Sequence, residues 1–483
     1  MQNDIYPIAY AGWIKSEDIR RKSSSGGVFS GIAEYVLNKN GVVIGCALDS
    51  EMRARHIAIS ELVGLEPLRG SKYVQSSKGD IFIKVLEYLK SGIKVLFVGT
   101  PCECGGLKSF LEISGVKDPD IILCDFICHG VPSPMIFESY ISNIEQSTKG
   151  KVTDYKFRLK DYGWNQSGLQ LGVRYEINSK EVIRKYPAFK DPFMCGFLED
   201  IFLRPSCYKC RFKMEKHDFC DITVADFWGV NSIDKSLNDQ KGTSLILVHN
   251  DRSRELIESL KDLKLNPVRV SDAIKRNRTI TKSAEIPAER SHFFRAYYAK
   301  GYEYVEKKYM NSWKWAVKTA WKMIFGIIER LLKWFFSLFG LHLKDNQLFV
   351  IRQFIQFCMV GVSNALVSYL LNVTVITLTR PYDIRYDYMI ANITAFVLSV
   401  LWSYHWNNRY VFAEGEEKRH RIHTLTKAYL TYAFSGIVLN NVLSTIWINI
   451  LGLSKYVAPL LNIPFTMPVN FLISKFWTYK HDK

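Results

Sequence analysis

The pattern of hydrophobic and polar positions divides the chain into two unlike parts. Up to about residue 300, short apolar runs alternate with longer amphipathic segments. This alternation is typical of parallel α/β units and predicts an α/β soluble domain over residues 1–305. The predicted strands are residues 41–47, 94–99, 121–124 and 244–248, and the predicted helices are residues 29–39, 80–89 and a segment starting near Gly105.

The C-terminal part has four uncharged stretches, each of about 19 residues or more, which is enough to cross a bilayer. They are residues 353–379, 388–408, 428–454 and 456–474. The loop between the second and third is rich in Lys and Arg, so the positive-inside rule places it in the cytoplasm. An all-α membrane domain of four transmembrane helices is therefore expected over residues 349–483, with its C-terminus in the cytoplasm.

Between these parts, residues 306–348 mix aromatic and basic side chains. Lys314, Lys318 and Lys322 recur every four residues and share one helical face, among four tryptophans. This pattern is typical of a basic amphipathic helix that lies in the membrane interface. The alternative is a helix packed on the soluble domain.

The predicted membrane domain also has an internal repeat. Phe354, Phe357 and Gly361 in the first stretch match Tyr429, Tyr432 and Gly436 in the third, and residues 410–412 match residues 477–479. Two parallel hairpins with a period of about 70 residues follow from this match. Chance similarity among hydrophobic residues is the alternative.

Composition limits the partners. The chain has 64 Lys and Arg against 47 Asp and Glu, a net charge of +17. The basic residues crowd around the hydrophobic spans, which favours an anionic membrane surface over nucleic acid. The N-terminus lacks the pattern of a signal peptide, so the part with most of the 10 cysteines is expected in the reducing cytoplasm. Metal binding or core packing then explains these cysteines better than disulfides do.

Four cysteines are the candidate metal ligands. Cys207 and Cys210 form a Cys-x-x-Cys pair, and Cys102 and Cys128 stand in short polar segments. Four thiolates suit an iron–sulfur cluster or a structural zinc ion, and the pair alone could be a redox dithiol. Cys220 is a rival ligand. His129 follows Cys128 and is the candidate catalytic residue, since it could donate a hydrogen bond or a proton there, although a structural role is equally open.

Candidate cofactor-binding residues lie in three other segments. The loop with Ser24, Ser25, Gly26 and Gly27 precedes a predicted helix, so its backbone N–H groups could bind an anion such as a flavin phosphate. An ordinary helix cap would have the same composition. Thr100 follows a predicted strand, where parallel sheets bind ligands. Arg158 and Lys160 could bind an anionic cofactor or form a solvated strand edge; these two complete the set.

Together these motifs resemble the coenzyme F420 hydrogenase/dehydrogenase beta-subunit family over residues 15–300. The matching segments are residues 22–29 (KSSSGGVF), 69–75 (RGSKYVQ), 98–102 (VGTPC), 106–110 (GLKSF), 128–134 (CHGVPSP), 207–212, 221–229 and 241–247 (KGTSLIL). The resemblance implies an iron–sulfur flavoprotein that binds FAD and holds a [4Fe–4S] cluster. The implied cluster ligands are Cys102, Cys128, Cys207 and Cys210, with Cys220 ranked lower. Many relatives begin with a ferredoxin-like segment, which this chain lacks, so one cluster and a separate electron donor or acceptor are expected.

Residues 350–480 resemble the GtrA-like family, which is linked to the movement of polyprenyl-phosphate sugars across membranes. The resemblance implies membrane lipid, including such a sugar lipid, as a partner. Arg409 and Lys475 lie at span ends and could attract lipid phosphate, or they could snorkel to the interface. Several asparagines lie within the spans and are expected to bond to other helices or to a polar ligand.

The two resemblances lead to two functional hypotheses. The first is a membrane-tethered iron–sulfur flavoprotein oxidoreductase of cell-surface polysaccharide biosynthesis, in the inner (cytoplasmic) membrane, with its soluble domain in the cytoplasm. The alternative is a GtrA-like flippase or presenter of polyprenyl-phosphate sugars, with the soluble half as a sensor or docking module. Transport would favour a homo-oligomer through the membrane domain, because four helices enclose little space. Neither hypothesis includes nucleic acid as a partner.

Overall fold

The computed structural model describes residues 6–117, 119–164, 169–214, 217–311, 326–327, 331, 337, 345–382, 387–412, 421–452 and 458–479. The chain forms two compact units, Met1–Lys318 and Thr319–Lys483. The predicted boundary at residue 305 falls inside a helix that runs over Arg290–Tyr309. Most of the predicted interfacial helix, residues 306–348, lies outside the described residues, so its existence stays a prediction.

An eight-stranded sheet and a separate three-stranded sheet organise the first unit. The spatial order of the large sheet is β11-β1-β10-β9-β5-β4-β2-β3, and the small sheet is β6-β7-β8. The strands are β1 Ile8–Ile14, β2 Val42–Leu48, β3 Ala54–Ile59, β4 Val95–Gly99, β5 Ile121–Phe126, β6 Lys151–Leu159, β7 Gln170–Ile177, β8 Lys180–Pro187, β9 Ile222–Asp226, β10 Ser244–Val248 and β11 Leu263–Val268.

The centre of the large sheet is parallel and its two sides are antiparallel. β2, β4, β5 and β9 run in one direction, as the alternation of strands and helices predicts. β3 turns back on β2, and β10, β1 and β11 alternate in direction beyond β9. The sequence analysis did not anticipate these antiparallel edges, because a buried apolar run has the same composition in either direction.

Helices cover the large sheet and join its parallel strands. They are α1 Glu17–Lys22, α2 Val28–Leu37, α3 Ile81–Lys90, α4 Pro101–Ile113, α5 Pro134–Thr148, α6 Pro192–Leu198, α7 Asp251–Ser259, α8 Val270–Arg276 and α9 Arg290–Tyr309. The prediction that α4 starts near Gly105 was wrong. Pro101 is its first residue after the N-cap Thr100, and proline is favoured there because its fixed φ suits the helix and its missing N–H costs nothing.

The small sheet packs with α5, α6 and α9 around an aromatic core. Phe137, Tyr155, Phe157, Phe193 and Phe202 are almost fully buried there. This core is separate from the apolar layers on the two faces of the large sheet. Aromatic rings bury large areas with few rotatable bonds, so they stabilise a small layer efficiently.

The second unit is helical where it is described. Its α-helices are α10 Asp345–Thr379, α11 Asp387–Trp406, α12 Arg421–Ala433, α13 Asn440–Thr445 and α14 Ala458–Ile473, and π-helical turns at Asn407–Val411, Phe434–Leu439, Ile446–Ile450 and Ser474–Thr478 extend them. Among the described residues, one stretch, Phe349–Tyr382, is by itself long and apolar enough to cross a membrane. It contains most of the first predicted span, and crossing by the other three stays a prediction.

Positions that the predicted repeat treats as equivalent meet in this unit. The rings of Phe412 and Tyr479 stack with their centroids 4.7 Å apart. They belong to a small buried cluster with Phe357, Val411 and Phe471. Near the far end of the first hairpin, the Asn372 amide donates to Asn392 Oδ1 at 2.7 Å, which is the helix–helix bonding that one reading of the asparagines predicted.

The tight approach of the Ser/Gly loop to the large sheet gives a stability prediction. A Cβ on Gly26 would lie 2.5 Å from the Gly12 carbonyl oxygen and 2.9 Å from the Ser244 nitrogen, and neither backbone atom can move freely. We expect Gly26→Ala to lower the free energy of unfolding by about 1–3 kcal/mol. The measurement is thermal unfolding of the purified full chain in detergent.

Gly106→Ala is the matched control. Gly106 lies in α4, and a Cβ there would approach nothing closer than a Phe82 ring carbon at 3.8 Å. Since alanine favours a helix over glycine, this variant should be neutral or more stable by up to about 1 kcal/mol. Equal melting temperatures for the two variants would contradict the packing described for Gly26.

Candidate functional site

The ends of three parallel strands bring the candidate residues to one edge of the large sheet. Gly99 at the end of β4 pairs with Asp125 of β5, and Phe126 at the end of β5 pairs with Val224 of β9. Cys102, Cys128 and Trp228 each follow one of these ends by a few residues. Ligands bind at this carboxyl edge in open parallel sheets.

Cys102 lies in the first turn of α4 and is exposed. Thr100 Oγ1 lies 3.2 Å from Cys102 Sγ, and the Thr100 N–H donates to Glu103 Oε2 at 2.9 Å. The positive end of a helix stabilises a thiolate. Thr100 therefore contacts the candidate metal ligand directly, and Glu103 fixes the turn that holds both residues.

Cys128 and Cys207 approach each other because their segments are hydrogen-bonded. The Arg204 N–H donates to the Val131 carbonyl at 2.8 Å. A Cβ on Gly130 would lie 3.4 Å from Cys207 Cβ, so the backbone after Cys128 packs against that side chain. The sequence separates these two cysteines widely, and the fold joins them.

Cys210 is held near the start of α4. Its N–H donates to Ser283 Oγ at 3.1 Å. The ring of Phe212, two residues later, packs so closely on α4 that a Cβ on Gly105 would lie 2.7 Å from it. The segment with Cys207 and Cys210 thus lies one helical turn from Cys102.

The four thiols act on one another. Burial raises the pKa of Cys128, and Cys207 and Cys102 raise it further, while the Lys213 ammonium opposes both effects. Burial also raises the pKa of Cys207, with smaller contributions from Cys102 and Cys210. All four candidate ligands therefore share one corner of the protein, although none of the groups of Cys, His, Asp or Glu in the described ranges could hold a metal ion as the side chains stand.

Two further residues of this corner bear on the cysteines. The Lys213 ammonium donates to the carbonyl of Cys128, and sequence reasoning missed it, although it ends a basic run that contains Cys207 and Cys210. Cys220, the rival ligand, is buried in an apolar layer of the large sheet beside Cys104. Burial, followed by Cys104, raises the pKa of Cys220, which makes it a poor thiolate ligand.

His129 is oriented by an acidic partner that the sequence did not reveal. Its Nε2 lies 2.6 Å from Asp200 Oδ1. The Asp200 carbonyl accepts a bond from the Tyr208 hydroxyl, which in turn accepts one from Arg290 at 2.9 Å. A carboxylate on one ring nitrogen fixes the orientation of an imidazole, so His129 is held beside Cys128 in a defined position.

The serine side chains of the Ser/Gly loop bond to protein rather than pointing into an open cleft. Ser24 Oγ lies 2.8 Å from Ser71 Oγ and accepts the Ser71 N–H at 2.7 Å. Ser25 Oγ donates to the Thr243 carbonyl at 2.9 Å. Gly27, with φ of 84°, is the N-cap of α2, so the backbone N–H groups at the start of α2 are the groups suited to an anion.

Lys160 holds this loop in place. Its ammonium donates to the carbonyls of Arg20, Ser25 (2.7 Å) and Lys241 (2.8 Å). Burial, followed by the charges of Arg20 and Arg158, lowers the pKa of Lys160 to about 7. Three carbonyl acceptors match the three protons of a charged amine, so the loop geometry favours the protonated form that burial opposes.

Arg158 is buried, with 2% of its side chain exposed, and pairs with Asp226. Asp226 Oδ1 also accepts the Trp164 indole N–H at 2.9 Å, and Trp164 stacks on Trp228 with centroids 5.1 Å apart. Burial opposes the charge of Arg158, but Asp226 outweighs burial and raises the pKa of the guanidinium. Its Nε and Nη2 are buried and have no hydrogen-bond partner among the described residues.

A chain of three rings connects the loop region with the cysteine corner. Tyr73, two residues after Ser71, stacks on Phe197 with centroids 5.0 Å apart. Phe197 meets the edge of the His129 ring at 5.2 Å. The two groups of candidate residues are therefore joined by packed side chains.

In the second unit, Lys475 is not an isolated surface charge. Its ammonium donates to Gln353 Oε1 at 2.9 Å, and Gln353 is buried. The ring centroids of Phe349, Phe471 and Phe476 lie within 6.0 Å of the ammonium. The side chain of Arg409 lies outside the described part of the structure, so its predicted role is not tested.

Sequence models of two families match the chain. The coenzyme F420 hydrogenase/dehydrogenase beta-subunit N-terminal model covers residues 9–79, and the C-terminal model covers residues 92–269. The GtrA/DPMS transmembrane-domain model covers residues 356–479. A chain from a xenon-derivatised F420-reducing [NiFe] hydrogenase complex of Methanosarcina barkeri is similar in structure, with 13% sequence identity and a TM-score of 0.38, over 58% of this chain and 96% of that chain.

No curated protein sequence matches the chain. The matched models agree with the motif segments and with the site just described. The chain therefore belongs to the coenzyme F420 hydrogenase/dehydrogenase beta-subunit family over residues 9–269 and is a membrane protein with a GtrA/DPMS transmembrane domain over residues 356–479.

Proposed function

We propose that this protein is a membrane-bound iron–sulfur flavoprotein oxidoreductase of cell-surface polysaccharide biosynthesis. It uses one [4Fe–4S] cluster and FAD, and it exchanges electrons with a separate carrier. The observation that carries the proposal is the meeting of four cysteines from three segments at the carboxyl edge of the parallel strands. Membership of the beta-subunit family supports the oxidoreductase class.

The donor set fits an iron–sulfur cluster better than a single zinc ion. Zinc in a structural site needs four ligands that converge tetrahedrally on one point. Each thiolate of a [4Fe–4S] cluster binds a different iron, so the four sulfurs stand around a larger group. Cys102, Cys128, Cys207 and Cys210 act on one another without forming a closed ion site, which suits the larger group. A cluster held by them would supply one-electron transfer.

The Arg158 region fits a flavin. Its unpartnered Nε and Nη2 atoms are buried, and leaving them so is unfavourable unless a ligand oxygen accepts their bonds. Trp228 is half-buried and offers an aromatic surface beside the guanidinium. The start of α2 supplies backbone N–H groups for a phosphate. Bound FAD would supply two-electron or hydride exchange, while Lys160 holds the loop around it.

His129 has the position of a proton donor or acceptor beside the cysteines. Asp200 orients its imidazole, and the residue lies directly after Cys128. We assign it the role of holding a proton at Nδ1 or Nε2 when the charge of the neighbouring centre changes. The ring of Phe197 fixes its other side.

The membrane unit gives the finer location. Four spans with both ends in the cytoplasm would put the soluble unit in the cytoplasm, where its thiols stay reduced. The GtrA/DPMS domain supports a lipid-linked substrate of surface-polysaccharide synthesis. Lys475, kept charged by Gln353 and by nearby aromatic rings, would bind the lipid phosphate together with Arg409.

One observation favours a second candidate function, the presentation or translocation of a polyprenyl-phosphate sugar. A cavity of about 270 Å³ is lined by Asn440, Ser444, Asn462 and Thr466 with Ile463. Asn462 bonds to Trp447 and Ser444, both at 2.9 Å. Uncharged amides and hydroxyls in a membrane domain suit a polar group without charge, such as a sugar. A homo-oligomer would enlarge such a path.

Anaerobic purification tests the main proposal. We expect a brown protein with about four iron and four acid-labile sulfide atoms per chain, as one [4Fe–4S] cluster contains, and with bound FAD. Cys128→Ser and Cys207→Ser should lose most of the iron. Cys195→Ser is the control, because Cys195 is buried in the aromatic core region and donates to the Phe189 carbonyl, as serine also can. Zinc in place of iron, or iron that survives both substitutions, would contradict the assignment.

The Arg158–Asp226 pair gives a stability prediction. Asp226→Asn leaves a buried guanidinium without its counter-charge, so we expect the free energy of unfolding to fall by about 3–5 kcal/mol. Glu181→Gln is the control, since its pair with Arg174 is exposed and should change stability by about 1 kcal/mol or less. Chemical denaturation of the full chain measures both, and similar losses would show that Arg158 does not depend on Asp226.

Reporter fusions test the predicted topology. Green fluorescent protein joined after residue 415 should fluoresce, because the basic loop stays in the cytoplasm. Alkaline phosphatase joined after residue 384 or 455 should be active, since those loops would lie outside. Active phosphatase after residue 415, or inactive phosphatase after residue 455, would rule out the four-span arrangement.

A further inference from the structure

We propose that a basic surface around the four cysteines is the docking site of an acidic electron-carrier protein. The inference rests on the proposed function, because a carrier needs to dock there only if the cysteines hold a redox centre. It adds the chemistry of the partner and the residues that recognise it.

Two contacting segments form this surface, which we call the basic corner. Residues 204–213 contain four Lys or Arg and no acidic residue, and residues 275–283 contain four more and again no acidic residue. The Cys210 N–H donates to Ser283 Oγ, and the Lys213 ammonium donates to the carbonyls of Cys128 and Thr279. The fold therefore joins two runs of one charge beside the cysteines.

The charges of the basic corner face solvent. Arg204, Lys209, Arg211 and Lys282 are exposed. The Arg204 guanidinium is near enough to Cys207 to oppose the effect of burial on the pKa of that thiol. Cys102 is also exposed, so the cysteine centre reaches the surface where these charges stand.

Apolar side chains complete the surface. Phe126, two residues before Cys128, is 37% exposed, and Met214, directly after Lys213, is 39% exposed. Aromatic residues, Met and Arg are enriched in protein interfaces, which combine an apolar centre with a polar rim. The basic corner has this composition.

A protein partner fits these features better than a lipid surface. An anionic bilayer would attract the same charges, but it would cover the exposed Cys102 and block access to the centre. Electron-carrier complexes are small and weak, and opposite charges raise their rate of association. In each encounter one electron passes, so the carrier is oxidised by one electron as the centre is reduced, or the reverse, and no bond is made or broken.

The test measures carrier binding to the full chain in phosphatidylcholine nanodiscs. The probes are an acidic [2Fe–2S] ferredoxin and a basic cytochrome c, each followed by fluorescence anisotropy. We expect the ferredoxin to bind and its Kd to rise about tenfold or more when ionic strength rises from about 50 to about 500 mM. Cytochrome c should not bind measurably. Equal binding of both probes would overturn the proposal.

Charge reversal locates the surface. The variant Arg204→Glu, Lys209→Glu, Arg211→Glu should raise the Kd for ferredoxin about tenfold or more and flatten its salt dependence. The control is Lys39→Glu, Lys90→Glu, Lys117→Glu. These three exposed lysines follow α2, α3 and α4, where the chain returns to the opposite edge of the parallel strands. The control should bind like the unaltered protein, and equal weakening in both variants would mean that net charge acts without a site.

Two further readings separate the remaining outcomes. If phosphatidylglycerol in the disc abolishes ferredoxin binding, the basic corner faces the lipid and the proposal fails. Iron and sulfide are measured on the same samples. Charge-dependent binding by protein without iron would support the docking surface while removing the proposed function, and a cluster without charge-dependent binding would overturn the docking surface alone.

Discussion

The parallel pairing of β4, β5 and β9 is the constraint on which the candidate site depends. The hydrogen-bond register aligns the last residues of these strands, so the loops that follow must leave the sheet at one edge. Cys102 and Cys128 follow from that register directly. The Cys207 segment is added by its bonds to the strand-end loops, through the Arg204 N–H and the packing of Cys207 against Gly130. A shift of one strand would separate all of these groups.

Buried charge shapes the other half of the site. Arg158 would be unfavourable in its apolar surroundings without Asp226, and Asp226 is itself fixed by Trp164. Lys160 is compensated differently, by three carbonyls from three separate segments. These compensations tie α1, the Ser/Gly loop and the strand β6 into one body. The loop is therefore pre-organised for an anion before any ligand arrives, which reduces the entropy lost on binding.

Much of this arrangement could be predicted from the sequence, because the informative signals were local. The strand Ser244–Val248 and the helix α3 match their predicted ranges to within one residue, since each is a short run of one periodicity. The four cysteines were found from their spacing and motifs, and they do share one corner. The antiparallel edges, the start of α4 at Pro101 and the partners Asp200, Lys213 and Tyr73 could not be predicted in the same way. They depend on strand direction or on contacts between residues far apart in the chain, and a single sequence carries neither. The side chains of Ser24, Ser25 and Lys160 were correctly seen as special, but their bonds go to the protein itself.

The rings of Tyr73, Phe197 and His129 have a consequence for how the two candidate sites can evolve. Each ring is in van der Waals contact with the next, and packed interiors transmit small changes in volume rather than absorbing them. A smaller side chain in place of Phe197 would loosen the imidazole next to Cys128 and the tyrosine beside Ser71 at the same time. The two regions are thus inherited as a pair, and a relative that adapts one of them to a new ligand has to keep, or rebuild, the aromatic spacer between them.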